Sequence, residues 1–236
     1  MDPFALKKLN AARRERRAAV LVTDLGDGRD RVVEEGDEVA GELGEAIAKR
    51  LRSGASGAVE AEGRNFFLNV HVPQPKLIAI GAVHISQALA PMAKIAGLDM
   101  EIIDPRTAFA TQDRFPEVPV HAEWPEDVLK QRPLDAYTAL AVLSHDPKID
   151  DFPLKASLDA GCFYVGALGS RKTHAKRVDR LLALGATADQ IGRIHSPIGM
   201  DIGASSPAEI AVAVLAEIIN ALRTRGAGRR KKDEAA

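Results

Sequence analysis

The chain has 236 residues with 32 Lys and Arg against 33 Asp and Glu, so no whole-molecule field draws it to nucleic acid. Aromatic residues are only 4% of the composition, which leaves Ala, Val, Leu and Ile to fill the core, as in α/β proteins with buried parallel strands. A single cysteine, Cys162, excludes a disulfide framework within the chain, and no apolar run is long enough to span a membrane. A cytoplasmic location is the expectation, and Asp24 and Asp27 interrupt the apolar run that a signal peptide would need.

In chain order, residues 5–17 read as a basic amphipathic helix or a loose arm. Ala18 to Thr23 reads as a strand followed by a turn at Gly26–Gly28. Asp37 to Arg52 reads as a helix, with Asp37 at its cap and Val39, Leu43, Ile47 and Leu51 at a spacing of four. Ala58 to Glu62 and Phe66 to Val72 read as a hairpin turning near Gly63. These elements form a small α+β unit over residues 1–73. Pro73 and Pro75 mark its end.

From Lys76 the rhythm becomes strand, loop, helix. Strands are predicted at Leu77–Ile80, Met100–Ile103, Val118–His121, Thr138–Leu143, Cys162–Val165 and Arg193–His195. Helices are predicted at Ser86–Ala96, Pro125–Lys130, Pro153–Ala160, Arg171–Leu184 and Pro207–Leu222. The last helix has Ser206 at its cap, Pro207 in its first turn and Glu209 three residues past the cap. The alternation implies a second domain over residues 76–224, an α/β fold with a parallel sheet and helices on both faces. Residues 225–236 are basic, lack apolar periodicity and read as a disordered tail.

Five segments carry residues that a fold alone does not require. G-A-V-H-I-S (Gly81 to Ser86) leaves the first parallel strand where a dinucleotide fingerprint would stand. Only Gly81 fits it, because Val83 and Ser86 occupy the other glycine positions. His84 lies in the same loop. In D-P-R, Asp104 ends the second strand and could accept from a ribose or pterin group, while Arg106 could pair with phosphate. In S-H-D-P, His145 stands beside Asp146, which could fix its tautomer or simply make a turn. In G-A-L-G-S-R-K-T-H, Gly166 and Gly169 end a strand and Ser170 caps a helix. Arg171, Lys172 and His174 crowd its first turns, where cations are unfavourable unless an anion offsets them. In S-P-I-G-M-D-I-G, Gly199 and Gly203 permit positive φ on either side of Asp201. All five segments fall at C-terminal ends of predicted parallel strands, where open α/β sheets bind ligands. The histidines lack short ligand spacing, so no metal site is expected. No nucleophile elbow, P-loop or paired-cysteine motif is present.

Taken in order, G-A-V-H-I-S-Q-A-L-A, I-I-D-P-R, L-S-H-D-P-K-I-D, Y-V-G-A-L-G-S-R-K-T-H-A-K-R and R-I-H-S-P-I-G-M-D-I-G-A-S-S-P-A-E-I-A resemble the Rossmann-like C-terminal domain of the XdhC/CoxI family. These are accessory proteins for molybdenum hydroxylases such as xanthine dehydrogenase and carbon monoxide dehydrogenase. The N-terminal domain is short by comparison. The resemblance implies a chaperone that binds molybdenum cofactor, as molybdopterin or its dinucleotide form, and assists its terminal sulfuration. It implies transfer to an apo-molybdoenzyme subunit, contact with a cysteine desulfurase, and a homodimer. No residue is assigned a catalytic step, and binding rather than catalysis is the first reading. The alternative is an NAD(P)-dependent oxidoreductase with Asp104 on the ribose or Arg106 on a 2′-phosphate. A third possibility is an assembly factor that uses the sheet edge for protein contact alone.

Overall fold

A computed structural model describes residues 2–225 of the chain. Two compact units are present, one holding residues up to Pro73 together with the chain from Arg223, the other spanning Gln74–Leu222. The predicted tail lies outside the described residues beyond Arg225.

In the first unit, β1 (Ala19–Asp24) is flanked by β2 (Asp30–Glu34) and β4 (Arg64–His71), and β3 (Gly57–Ala61) pairs with the far side of β4, all antiparallel. The side chains of β1 alternate across the sheet with a period of two. Ala19 and Leu21 pack with Leu9 and Ala12 of α1 (Pro3–Arg14), while Val20 and Val22 pack with Leu43 and Ile47 of α2 (Gly41–Ser53). The basic N-terminal segment is therefore a packed helix, started by the Asp2 carboxylate accepting from the backbone N–H groups of Phe4 and Ala5. Two features differ from expectation. β2 carries little strand signal because its Val32 and Val33 are flanked by charge, yet they serve opposite faces. Asp37 does not cap α2. Its carboxylate accepts from Glu34 N–H at 3.0 Å and closes the turn after β2, so the helix begins only at Gly41.

The second unit is a six-stranded parallel sheet in the order β10-β9-β8-β5-β6-β7. The strands are β5 (Lys76–Ile80), β6 (Asp99–Ile103), β7 (Val120–His121), β8 (Thr138–Val142), β9 (Tyr164–Ala167) and β10 (Ile194–His195). The chain moves outward from β5 to β7, then returns to the centre at β8 and moves outward the other way. That reversal puts a topological switch point between β5 and β8, the position at which doubly wound sheets open a ligand crevice. One face is covered by α3 (His84–Ile95) and α8 (Pro207–Thr224) through Leu89, Ala93, Val214 and Ile218. The other is covered by α4 (Pro125–Gln131), α5 (Pro147–Asp159), α6 (Arg171–Ala183) and the single turn α7 (Ala188–Ile191), through Leu129, Leu154, Leu158 and Leu181.

The start of α8 matches its sequence signature. The Ser206 hydroxyl accepts from Glu209 N–H, and the Glu209 carboxylate accepts from Ser206 N–H at 3.0 Å. In contrast, α5 starts six residues before the expected Pro153. Asp146 accepts from Lys148 N–H at 3.0 Å and Pro147 occupies the first turn, where no N–H is needed, while Pro153 is carried inside the helix. The expected strand Cys162–Val165 is shifted to Tyr164–Ala167, and α7 is an element the sequence pattern does not announce.

Gly166 shows why that shift is possible. A Cβ there would lie 2.5 Å from the Tyr164 hydroxyl and 2.6 Å from Ile198 Cγ1, so only glycine lets the segment after β10 lie over β9. We expect Gly166→Ala to lower unfolding stability by about 1–3 kcal/mol through overpacking, read as a shift in the urea midpoint without a change in slope.

A crevice lined by fixed charge at the sheet edge

The loops that follow β5, β6, β8, β9 and β10 meet at the C-terminal edge of the sheet, and each contains one of the sequence segments. Gly81 (φ 115°) ends β5, and a Cβ there would stand 3.0 Å from Ser144 N and 3.2 Å from Leu143 C. Glycine at this position allows the β5 and β8 loops to touch at the switch point. The buried Ser86 hydroxyl donates to Gly81 O at 2.5 Å, in the place a fingerprint glycine would leave open. Val83 precedes α3, and His84 is exposed in its first turn.

Asp104 is fully buried and its carboxylate is saturated. One oxygen accepts from Arg106 N–H and Arg106 Nε–H, both at 2.9 Å, and the other from Ala82 N–H at 2.8 Å and Arg106 Nη2–H at 2.7 Å. Burial would raise its pKa, but these donors and the Arg106 charge outweigh it and hold the carboxyl below its ordinary value. The expectation that Asp104 itself contacts a ribose or pterin is therefore revised. It locks the β5 loop to Arg106 and aims that guanidinium, which also lies over the Phe109 ring at 4.8 Å. Arg114, not singled out in the sequence, closes the same corner by donating to Ala82 O at 3.0 Å and Phe109 O at 2.7 Å.

On the other side of the crevice, His145 is exposed with φ 65°, a left-handed backbone rare outside glycine. Its neighbours impose this. The buried Ser144 hydroxyl donates to Asp150 at 2.5 Å and accepts from Asp146 N–H at 3.2 Å, while Asp146 caps α5. Burial pushes Asp150 up to about 6, a rise limited by the Ser144 hydrogen bond and the Arg177 charge.

Ser170 caps α6, accepting from Thr173 N–H at 3.2 Å, and Arg171 and Lys172 are exposed in the first turn. Arg177, one of the basic run, is instead 1% exposed. It donates from Nη2 to Leu168 O at 2.8 Å and from Nη1 to Ser196 Oγ at 3.5 Å, and its Nε has no partner. His174 Nδ1 is likewise buried and unpartnered, and desolvation lowers the pKa of this ring. A signal for Arg177 is available in the sequence: it lies four residues before Leu181 on the buried stripe of α6.

The β10–α8 loop is pinned by Glu217, whose carboxylate accepts from Tyr164 Oη–H at 2.7 Å and Gly199 N–H at 2.8 Å and lies 2.9 Å from His195 Nδ1. A Cβ at Gly199 (φ 93°) would meet Val214 N at 3.0 Å, so this glycine, like Gly166, answers to packing. Asp201 is exposed, and Gly203 (φ 72°) faces open space. The structure thus brings Arg106, His145, Asp146 and the α6 N-terminus to one edge, and turns Gly166 and Gly199 to packing against Ile198 and α8. Among the described residues no three His, Cys, Asp or Glu side chains gather as a metal would need. No described helix is long and apolar enough to cross a membrane.

Strand order and site together define a doubly wound, Rossmann-type domain with a cation-bearing crevice at its switch point. The chain belongs to the XdhC family: the XdhC Rossmann domain model matches residues 77–218. It is 32% identical over 158 residues to the uncharacterised protein YqeB of Escherichia coli, covering 65% of this chain and 28% of that one. It is 33% identical over 156 residues to a protein of Bacillus subtilis named as a probable xanthine dehydrogenase subunit, covering 66% and 45%. It is 30% identical over 146 residues to the molybdenum cofactor insertion chaperone PaoD of Escherichia coli, covering 62% and 40%. The chain therefore spans less than half the length of these curated relatives. A crystal structure described as a xanthine dehydrogenase from Bacillus halodurans shares the fold, with a TM-score of 0.62 at 24% identity over 93% of this chain and 64% of that one.

Asp150 gives the site a pH signature. Its folded pKa lies above the ordinary aspartate value, so the native state binds the proton more tightly, and stability from this group rises as pH falls from about 6 toward 4. Asp150→Asn should remove that gain, on the order of 2–3 kcal/mol, in urea titrations across this range. Asp104 has the opposite sign: its stabilisation is present above the ordinary aspartate value and is lost as pH falls through its depressed folded value.

Proposed function

We propose that this chain binds molybdenum cofactor at the C-terminal edge of its parallel sheet and serves as a maturation factor for a xanthine dehydrogenase or carbon monoxide dehydrogenase type molybdoenzyme. Family membership and the names of two relatives, a molybdenum cofactor insertion chaperone and a probable xanthine dehydrogenase subunit, support the reading. The observation that carries it is the convergence of fixed cationic groups with buried donors left over. Arg106 is held by Asp104, the first turn of α6 is exposed, and Arg177 Nε and His174 Nδ1 have no partner.

Such a site fits a pterin bearing a phosphate. Gly169, Ser170, Arg171 and Lys172 would hold the phosphate, and His174 lies in the same helical turn. Arg106, His145, Asp146, Asp201 and Gly203 would face the pterin or the nucleotide of a dinucleotide form, with His84 at the neighbouring helix start. The bound group supplies a molybdenum centre destined for another protein. The chain's own residues bind it, orient it and shield it, and none needs to break a covalent bond. An apo-molybdoenzyme is the proposed recipient and a cysteine desulfurase the proposed source of sulfur. A cytoplasmic homodimer is the proposed form. The NAD(P) oxidoreductase alternative is weaker, because Val83 and Ser86 stand at glycine positions of the fingerprint and the Asp104 oxygens already hold four donors.

The test is binding of molybdopterin to the purified protein, followed by fluorescence quenching or calorimetry. Loss of a charge-assisted contact in Arg106→Ala should weaken binding by about 10- to 100-fold. Asp104→Asn should weaken it as well, by freeing the guanidinium. Protein that takes up no pterin in vitro, carries none from molybdenum-replete cells, and binds NADH or NADPH with turnover would overturn the proposal.

A further inference from the structure

The cation nearest the α6 N-terminus from below is Arg177, and its surroundings do not account for its charge. Its side chain is fully enclosed, yet among the described residues no carboxylate lies within ion-pair distance of it. Its hydrogen-bond acceptors are neutral: the Leu168 carbonyl at 2.8 Å and, weakly, the Ser196 hydroxyl at 3.5 Å. Nε is an orphaned buried donor. Burying a guanidinium without a paired anion is unfavourable by several kcal/mol on general grounds. The other buried charge nearby is Asp150, 2% exposed, which stabilises the Arg177 cation through space while giving its hydrogen-bonding capacity to Ser144. Asp146 and Asp151 on α5 also act on Asp150, and Arg106 and Arg180 sense its charge in turn.

Gly169 lies directly against this cation, in the turn that leads into α6. Its φ is 134°, and a Cβ added there would come within 3.6 Å of Arg177 Nη2 and within 3.2 Å of Thr173 Cγ2. The missing side chain leaves a notch. At its mouth lie the free N–H groups of the first turn of α6, a 13-residue helix, and at its floor lies the guanidinium. An anion seated in the notch would be held by backbone donors and by a preorganised positive charge in a low-dielectric setting, where that charge acts most strongly.

We infer that the Gly169–Ser170 turn is a phosphate cradle charged from beneath by Arg177, and that Asp150 sets its strength as the internal counter-charge with which the phosphate competes. This rests on the cofactor-binding reading above and deepens it. It assigns the phosphate to a buried arginine that lies outside the exposed Arg171–Lys172 pair, and it makes an acidic residue on α5 the antagonist of binding. The ligand class is a phosphate monoester or pyrophosphate, the two forms that a pterin phosphate or its dinucleotide derivative would present.

Calorimetry with inorganic phosphate and pyrophosphate at about pH 7.5, well above the Asp150 value, on the full chain, tests the cradle without any pterin. Gly169→Val fills the notch and should weaken pyrophosphate binding by about tenfold or more, and Arg177→Met should do the same. Asp150→Asn removes the competing charge and should tighten binding several-fold, an effect that a merely destabilised protein would not produce. Should Arg177→Met fail to fold, the opposite signs of Gly169→Val and Asp150→Asn still decide the matter. Absence of pyrophosphate binding to the unaltered protein, or equal affinity in Gly169→Val, Asp150→Asn and the unaltered protein, overturns the inference. Molybdopterin binding that is indifferent to these substitutions sinks the cradle and leaves the cofactor reading standing. Pyrophosphate binding with the stated pattern in a protein that refuses molybdopterin sinks the cofactor reading and keeps the cradle.

Discussion

The contact on which the crevice depends is the approach of Gly81 to the backbone of Leu143 and Ser144, too close for any side chain at that glycine. It occurs where the sheet order reverses, between β5 and β8, and it joins the two halves of the parallel domain at their C-terminal edge. From that point the two walls diverge. One is organised by Asp104, which gathers Ala82 and Arg106 onto a single carboxylate. The other is organised by Ser144, which binds Asp150 and holds the backbone of the S-H-D-P turn, with His145 in its left-handed conformation.

Both walls use buried charge, in different ways. Asp104 is satisfied by four donors and a guanidinium, and the result is a rigidly held arginine at the crevice. Asp150 and Arg177 are buried on neighbouring helices without touching, each acting on the other through space. The first arrangement fixes geometry. The second leaves an electrostatic imbalance, held in place by packing and available to a ligand. Exposed cations such as Arg171 and Lys172 are weakened by solvent and salt, whereas an enclosed guanidinium is screened far less.

Much of this is legible in the chain. Strand and helix alternation from Lys76 onward, the capping pattern at Ser206–Glu209 and the glycine-bearing loops point to the α/β class and to the edge at which to look. The family resemblance rests on the same segments. Less legible are elements whose signal is local and ambiguous. β2 hides two valines among charges. Asp37 has the chemistry of a helix cap but closes a turn instead. Pro153 looks like a helix start, although Asp146 and Pro147 supply a better one six residues earlier.

Sequence by itself determined the order of elements, the classes of residue at each strand end and the surplus of cations and glycines there, because periodicity, caps and turns are local properties. Only the tertiary structure decided how each of those residues is used. Gly166 and Gly199 serve close packing, since what a glycine avoids is set by Tyr164, Ile198 and α8, contacts that no local pattern announces. Arg177 belongs to the interior rather than to a solvated run, since its position on α6 faces the sheet. Asp104 is consumed by its own neighbours. In each case the reason is the same: the chain names a group and its charge, but how much of that charge remains for a partner depends on which donors, acceptors and low-dielectric walls the fold brings beside it.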